Sequence, residues 1–371
     1  MIAVSEYMDS SLNFNEVFCL SRPEPIAHNR LTYGEEEENA VVSTLRSGRW
    51  AMGPMVERLE GALADVAGSS HVVCVGSGLA ALRLVLLGVG VGSGDRVLVP
   101  AYSCVALANA CLAIGAIPVP VDVDEKEWNI DPEGAKDAFK RHNPKAIIAV
   151  NTFGCPAPIE RLTEIGIPVI EDCAHAFGFA VGGCRLGSRC HAAVLSFYAT
   201  KLIGAGEGGA VLTNSDEIAT KVREWRDYAD KPMEATRLND KMTDITATIA
   251  YCQLNRLPQM LAKRCELAQR YDALLKAVVG PVKRFRLPTC GGERAWYRYV
   301  VNLKDRKAHD VSRAMRAYGV FAEAPIEDWR PDPVETPVTS HAYEQLLSLP
   351  LYPCLTDEEQ ERVVQAFISS C

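Results

Sequence analysis

Two side chains stand in local sequences that suit chemistry more than packing. Asp172 closes the run Ile167-Pro-Val-Ile-Glu-Asp-Cys-Ala-His175, and Lys201 stands in Ser196-Phe-Tyr-Ala-Thr-Lys-Leu-Ile-Gly-Ala-Gly-Glu-Gly-Gly209. An acid at the end of a buried strand, followed by a lysine in a polar glycine-rich turn, suits pyridoxal phosphate chemistry. The amine holds the cofactor as a Schiff base, and the carboxylate keeps the pyridine nitrogen protonated so that the ring can accept carbanion electrons. Each residue also has a plainer reading. Most lysines are solvated, and an aspartate at a strand-to-helix step commonly caps the helix. Here Lys201 lies between Leu195-Ser-Phe and Gly204-Ala-Gly-Glu-Gly-Gly. That is a constrained backbone, and a lysine held out of water in such a turn is an amine nucleophile. The small residues after Asp172, Cys173-Ala-His-Ala-Phe-Gly178, fit a backbone approaching a ligand at the carboxyl end of a strand. His175 is placed to cover the cofactor ring or bond its phenolic oxygen; the alternative is a packed structural histidine.

Gly76-Ser77-Gly78-Leu79 separates a predicted strand from its helix. The backbone N–H groups of this turn with the helix N-terminus make a phosphate cradle, though two glycines alone also describe an ordinary tight turn. Ser196 offers a second phosphate contact. Pro100-Ala-Tyr-Ser-Cys104 occupies the next strand end over the same crevice.

The elements that must position these residues alternate. Strands are predicted at 71–75, 96–99, 118–121, 146–150 and 168–171, with helices at 79–87, 105–114, 133–141 and 159–165 between them. Apolar strands alternating with helices predict a mostly parallel sheet covered on both faces. A strand pair at 194–197 and 210–213 flanks the lysine turn. Long helical stretches follow at 243–257 and 258–279. The predicted organisation is an arm over 1–30, a large domain over 31–257, and a linking helix with a smaller C-terminal α/β domain over 258–371.

Composition excludes several functions. A net charge of −8 without a basic run argues against a nucleic-acid surface. No apolar run reaches the roughly 18 residues of a membrane span. Residues 1–20 are polar and acidic, so no signal peptide is expected. The 13 cysteines are scattered, with no C-x-x-C; reduced thiols in a cytoplasmic protein are expected. Cys184, Cys190 and His191 match no zinc spacing, so no metal is expected.

Taken together, these segments resemble the DegT/DnrJ/EryC1/StrS family, sugar aminotransferases of fold type I, from about Leu31 to the C-terminal helix. The resemblance rests on motifs in one order. They are Ser47-Gly-Arg-Trp-Ala-Met-Gly-Pro54, Val75-Gly-Ser-Gly-Leu-Ala-Ala-Leu82, Gly94-Asp-Arg-Val-Leu-Val-Pro-Ala-Tyr-Ser103 and Gly115-Ala-Ile-Pro-Val-Pro-Val-Asp122. Glu171-Asp-Cys-Ala-His-Ala-Phe-Gly178, Ser196-Phe-Tyr-Ala-Thr-Lys201, Gly206-Glu-Gly-Gly-Ala-Val-Leu-Thr213, Asn239-Asp-Lys-Met-Thr-Asp244 and Leu349-Pro-Leu-Tyr-Pro353 complete the set.

The resemblance implies a pyridoxal 5′-phosphate enzyme in which Lys201 forms the Schiff base and Asp172 pairs with the pyridinium nitrogen. It also implies that Ser196 and the Gly78 and Leu79 amides hold the phosphate, and that His175 lies against the ring. Asn239 would reach the phosphate across a homodimer interface, so that each site needs both subunits. Several positions depart from the family pattern. Leu79 replaces the usual threonine, and Cys104 stands where an aromatic ring commonly stacks on the cofactor. Lys241 replaces an arginine, Asn151 and Tyr297 replace frequent histidines, and 320–329 lacks the usual histidine pattern near the substrate.

The implied reaction moves an amino group from glutamate to a keto-sugar, nucleotide-linked in the first instance. Alternatives are a free sugar, sugar acid or cyclitol as acceptor, or a cofactor-binding regulator without turnover.

Overall fold

The computed structural model describes residues 24–229, 237–278, 285–287, 294–330 and 335–371. Most of the expected N-terminal arm, residues 1–23, lies outside them. Helices α1 (Glu35–Ser47) and α2 (Pro54–Ala67) come first. Then β1 (His71–Val75), α3 (Gly78–Gly88), β2 (Arg96–Pro100), α4 (Ala106–Leu112), β3 (Ile117–Val121), α5 (Pro132–His142), β4 (Ala146–Val150), α6 (Ile159–Thr163) and β5 (Val169–Asp172) alternate as the pattern predicted. A short hairpin of β6 (Ala180–Val181) and β7 (Cys184–Arg185) leads into β8 (Ala192–Ser196), β9 (Gly209–Thr213) and α7 (Asp216–Arg226).

The main sheet has the order β1-β9-β8-β5-β4-β2-β3. Only β9 runs antiparallel to its neighbours; the other pairings are parallel. The remaining strands therefore all end at one edge of the sheet, where ligands of open α/β sheets bind. Alternation along β1 sends Val73 and Val75 to one hydrophobic cluster and Val72 and Cys74 to another on the opposite face. Strand β4, Ala-Ile-Ile-Ala-Val, is buried throughout, as a strand covered on both faces must be. This is a mixed α/β protein with a mostly parallel central sheet.

The stretches expected to part at Pro258 form one helix, α8 (Asp244–Val278). Proline there removes one backbone donor. Packing on both sides of it holds the helix: Ala247, Ala250, Leu254 and Leu257 enter the core around α2, and Leu267, Ala268, Tyr271 and Leu275 enter the core of the C-terminal unit. That unit carries the sheet β10 (Phe285–Arg286), β11 (Tyr299–Leu303), with α9 (Ala308–Arg316), α10 (Pro337–Gln345), β12 (Leu346–Leu349) and α11 (Asp357–Ser370). Strand β11 begins at Tyr299, and the residues before it turn toward the lysine loop, where Tyr297 meets Thr200 and Lys201.

Two motifs far apart in sequence prove to be one structure. The fully buried Asp244 carboxylate accepts from the N–H groups of Gly53, Met55 and Val56 at the start of α2, at 2.7, 2.8 and 3.1 Å. Orphan donors and a positive helix end are satisfied by one acid. A Cβ on Gly53 would stand 2.6 Å from Asp244 Oδ2, so the glycine is required by this close approach.

A second buried acid, Glu171, is fully enclosed. It accepts from Arg189, from the Asn151 amide at 3.1 Å and from the Gly187 N–H at 3.0 Å. Because Arg189 is almost fully buried as well, its loss would strand a charge in the core. Arg189→Met is expected to destabilise the fold by about 3–5 kcal/mol, measured as a shift in the urea unfolding midpoint; a change within ~0.5 kcal/mol would show that the pair is not structurally required.

Candidate active site

The site is assembled at the strand-end edge of the main sheet. Val75, Gly209 and Ser196 lie in one row, since Val75 pairs with Gly209 and Gly209 with Ser196. The turn after β1 folds down onto this row. A Cβ on Gly209 would lie 2.6 Å from the Ser77 carbonyl oxygen, and one on Gly78 would lie 2.8 Å from Ser196 Cβ and 3.0 Å from its Oγ. Two glycines thus let the α3 N-terminus sit directly beside the Ser196 hydroxyl. Ser77 Oγ caps the helix by accepting from the Ala80 N–H at 3.1 Å. That leaves the Gly78 and Leu79 amides at the open helix end, with the Leu79 side chain exposed. Main-chain donors, a helix N-terminus and a hydroxyl converge as an oxyanion of a phosphate requires.

Lys201 is held by the loop joining β8 to β9. Phe197 donates to the Gly208 carbonyl at 2.8 Å, Ala199 to Gly206 at 3.0 Å and Lys201 to Tyr198 at 2.8 Å. Its Nζ lies 5.1 Å from the centre of the Tyr297 ring. Asp172 ends β5 and is buried, accepting from the Ala174 N–H at 2.9 Å. Desolvation holds its carboxyl above the usual carboxylate range, opposed by that N–H and by the charge of Lys201. His175 stacks on Tyr297, with ring centres 4.2 Å apart, and on Phe153 at 6.3 Å. Burial, then Lys201 and Arg298, drives its pKa well below the ordinary value, so the ring is neutral. Among the described residues its buried Nδ1 has no partner, which is uncommon in native interiors.

Tyr297 is the centre of this group. Its hydroxyl lies 3.5 Å from Thr200 Oγ1, and Arg264 donates to its carbonyl at 3.1 Å and to that of Leu351 at 3.0 Å. Burial pushes the phenol up, but Lys201, Arg298 and Arg264 outweigh it and bring the hydroxyl down to about 8. Arg298 sits over the same ring at 5.4 Å and donates to the His28 ring at 3.0 Å. His28 lies 3.2 Å from the Glu323 carboxylate. Burial and Arg298 lower His28 to about 3, so its contact with Glu323 is a hydrogen bond from a neutral ring and not an ion pair.

The structure unites Lys201, Asp172 and His175 through these contacts and places Ser196, Gly78 and Leu79 in the cradle. Cys104 is exposed at the start of α4. Next to it, the Ser103 carbonyl accepts from Trp329 Nε1 at 2.8 Å, which brings the altered 320–329 segment over this strand end. Asn239 is exposed; its loop is fastened beside the cradle by the Gly76 N–H, which donates to the Asp240 carbonyl at 2.8 Å, and by Arg83 on the Asp240 carboxylate. Lys241 pairs with Asp227 at 2.6 Å. Asn151 is fully buried in the support of Glu171. Sequence reading missed Arg298 and His28. They are 270 positions apart, and neither sits in a local pattern that signals a site.

The buried orphan at His175, the two-glycine cradle and the buried acid near Lys201 fit pyridoxal phosphate: an aldehyde for the amine, an anion for the cradle and a protonated ring nitrogen for the acid. Gly78→Ala is expected to raise the Kd for pyridoxal phosphate about 10- to 100-fold at near-unchanged secondary structure, read by equilibrium dialysis; an unchanged Kd would refute the cradle. For His28, the unfolded chain binds its proton first, near pH 6.5, and the folded chain only near 3. Stability from this group is therefore complete above pH 6.5 and is lost on acidification, by roughly 3 kcal/mol at about pH 4.5. His28→Gln should show a correspondingly shallower decline in urea titrations across that range, and parallel curves would contradict the neutral assignment.

The DegT/DnrJ/EryC1/StrS aminotransferase family matches residues 32–368. Among solved structures, DesV from S. venezuelae is 29% identical with a TM-score of 0.83, covering 90% of this chain and 94% of its own. The aminotransferase TlmJ from Streptoalloteichus hindustanus is 28% identical with a TM-score of 0.85, covering 93% and 98%. NtdA from Bacillus subtilis, solved with bound cofactor PMP, is 26% identical with a TM-score of 0.81, covering 91% and 81%. With its lysine, acid and glycine turn assembled at one sheet edge, this chain is an aminotransferase and belongs to the DegT/DnrJ/EryC1/StrS aminotransferase family.

Proposed function

We propose that this aminotransferase uses pyridoxal phosphate to move the amino group of L-glutamate to the keto group of a nucleotide-linked sugar, releasing 2-oxoglutarate. The observation that carries the reading is the meeting of the Lys201 amine and the buried Asp172 carboxylate beside the Gly78–Ser196 cradle. PMP bound to NtdA supports the cofactor, and the ordered motif set supports the sugar acceptor. A cavity of about 490 Å³ lined by Lys201, and one of about 550 Å³ lined by Tyr297 and Arg298, give room for reactants of that size.

Bound there, pyridoxal phosphate supplies the electron sink for a carbanion at the donor Cα. The chain's residues do the rest. The Gly78 and Leu79 amides and Ser196 Oγ bind the phosphate. Lys201 Nζ would anchor the cofactor covalently and, once the donor amine has displaced it, would serve as the base that takes the proton from the donor Cα. Asp172 would hold the negative charge that keeps the ring nitrogen protonated. His175, stacked on Tyr297, covers one side and excludes water, and its Nδ1 is available to the ring hydroxyl. Trp329, fastened to Ser103, closes the acceptor side.

The domain boundary after residue 257 and a homodimer with shared sites belong to the same reading. Leu31, Tyr33 and Val42 are exposed apolar side chains that line one cavity with the lysine loop, a surface suited to a second copy, from which Asn239 would complete the phosphate site. Among the described residues, no helix is long and apolar enough to cross a membrane; a cytoplasmic location is proposed.

Purified protein is expected to show a visible absorbance band that fades when L-glutamate is added. Lys201→Ala should abolish the band with the fold intact, and Asp172→Asn should lower kcat at least about 100-fold. Normal turnover by Lys201→Ala would end the mechanism, and a band indifferent to glutamate would end the donor assignment.

A further inference from the structure

A lysine that anchors a cofactor must let go of it and return in every turnover. When an incoming amine displaces Lys201, Nζ is set free as an ammonium in a site already rich in positive charge. Arg298 and Arg264 share its surroundings, since all three cations act on the Tyr297 phenol. The carboxylate that feels the lysine is Asp172, which the reading above gives to the ring nitrogen. The free ammonium needs another partner.

Tyr297 is placed to be that partner. Its ring is buried, and Lys201 Nζ stands over it, 5.1 Å from the centre. An aromatic face attracts a cation within about 6 Å of its centroid. The other groups on this ring are fixed. His175 stacks on it at 4.2 Å, and Arg298, over it at 5.4 Å, is tied to the His28 ring. Thr200, beside the lysine in sequence, reaches the phenol oxygen at 3.5 Å. The backbone that carries the ring is held in a costly conformation. Trp296, just before it, has a φ of 45°, and Phe153, in the segment packed against it, a φ of 53°. Bulky residues rarely take such values and keep them only where the surroundings enforce them. Here Arg264 donates to the Tyr297 carbonyl at 3.1 Å, and the Ala295 N–H donates to the Gly154 carbonyl at 3.0 Å. A Cβ on Gly154 would stand 2.9 Å from the Trp296 nitrogen. The ring is thus set in one place while the lysine moves.

We propose that the face of the Tyr297 ring receives the Lys201 ammonium whenever Nζ is detached from the cofactor, which makes Tyr297 a positioning residue for the lysine. The proposal rests on Lys201 as the cofactor anchor, and not on which donor or acceptor the enzyme uses. Methylamine is therefore a suitable probe. Its nitrogen takes the place of Nζ on the cofactor carbon, and Nζ ends as an ammonium carrying the hydrogens that methylammonium gave up. After the cofactor-loaded enzyme has equilibrated with methylamine, borohydride fixes what remains on Lys201, and intact-mass spectrometry counts it. Tyr297→Leu, which removes the ring, is expected to raise the methylamine concentration for half displacement about 3- to 30-fold. Tyr297→Phe, which keeps the ring, should stay near wild type. A trifluorinated phenylalanine at the same position is nearly isosteric with phenylalanine but has lost the negative charge of its face, and should behave like Tyr297→Leu. Identical curves for phenylalanine and its trifluorinated form would overturn the proposal. A Tyr297→Phe curve displaced as far as that of Tyr297→Leu would do the same.

The contact itself is checked without cofactor. Burial pushes the Tyr297 phenol up, but Lys201, Arg298 and Arg264 bring it to about 8, so the apoenzyme should show a phenolate absorbance step near pH 8 that Tyr297→Phe lacks. Lys201→Met removes one of those cations and should move the step to higher pH; an unmoved step would refute the contact. The anchor reading is judged apart from this. A borohydride-stable cofactor adduct in Lys201→Ala would end that reading, while the phenol titration would still decide whether the amine lies against Tyr297.

Discussion

Two consecutive carboxylates at the end of a buried strand set the terms for the rest of this molecule. Glu171 and Asp172 point to opposite faces of the sheet because they are neighbours on β5, and each must recover the solvation it loses. Glu171 recovers it within the protein, from Arg189, Asn151 and the Gly187 N–H. Asp172 has the Ala174 N–H and the field of Lys201. The first acid is fully matched and serves as structure. The second is under-compensated, with its carboxyl held above the usual range by burial, and a cationic ring nitrogen is what would complete its environment. Function here is a deficit of partners located by the fold.

The same logic applies to the anion cradle. Backbone amides become a binding site only when nothing of the protein occupies the space in front of them. The absence of side chains at Gly78 and Gly209 brings the α3 N-terminus against Ser196, while Ser77 satisfies the donor that would otherwise compete. Leu79 contributes through its amide alone, and its side chain turns outward. The departure from threonine therefore removes a hydroxyl without disturbing the cradle backbone. The Gly53 approach to Asp244 is the structural counterpart. There a glycine admits an acid to a helix end and the acid stays, so no site is left open.

The C-terminal unit packs further charged and aromatic groups against this centre. Arg264, buried and held by the carbonyls of Tyr297 and Leu351, fixes the segment that carries Tyr297 and Arg298. Burial lowers the guanidinium to about 10, still cationic at neutral pH. Three cations surround one phenol, and a neutral histidine steadies one of them. Asp122, just past the end of β3, accepts from Val338 and Thr339 at the start of α10, and Tyr343 donates to the Ala101 carbonyl at 3.0 Å. These bonds join α10 to the strand ends of the large sheet, beside the Trp329 bond to Ser103 that fastens the 320–329 segment there.

Periodicity and turn chemistry were enough to place the strands and helices of the first part of the chain, because apolar runs of strand length between Gly and Pro signals depend on neighbours in sequence. They also singled out Lys201, Asp172 and the glycine turn as candidates, because the residues beside them are unusual for plain packing. Pro258 was misleading as a break, since local propensity is overridden when both halves of α8 are packed. The residues around β11 were only partly legible, and β10, β12 and α10 were not separated at all, as short elements carry weak periodic signals. What tertiary structure alone decided is which charges stay unmatched. Glu171 and Asp172 are indistinguishable as buried acids until Arg189 is seen to face one of them. Arg298 reads as an ordinary arginine until His28, 270 positions away, is found to hold it. The charge that an ion pair cancels depends on distances across the fold, and no local sequence pattern encodes those distances.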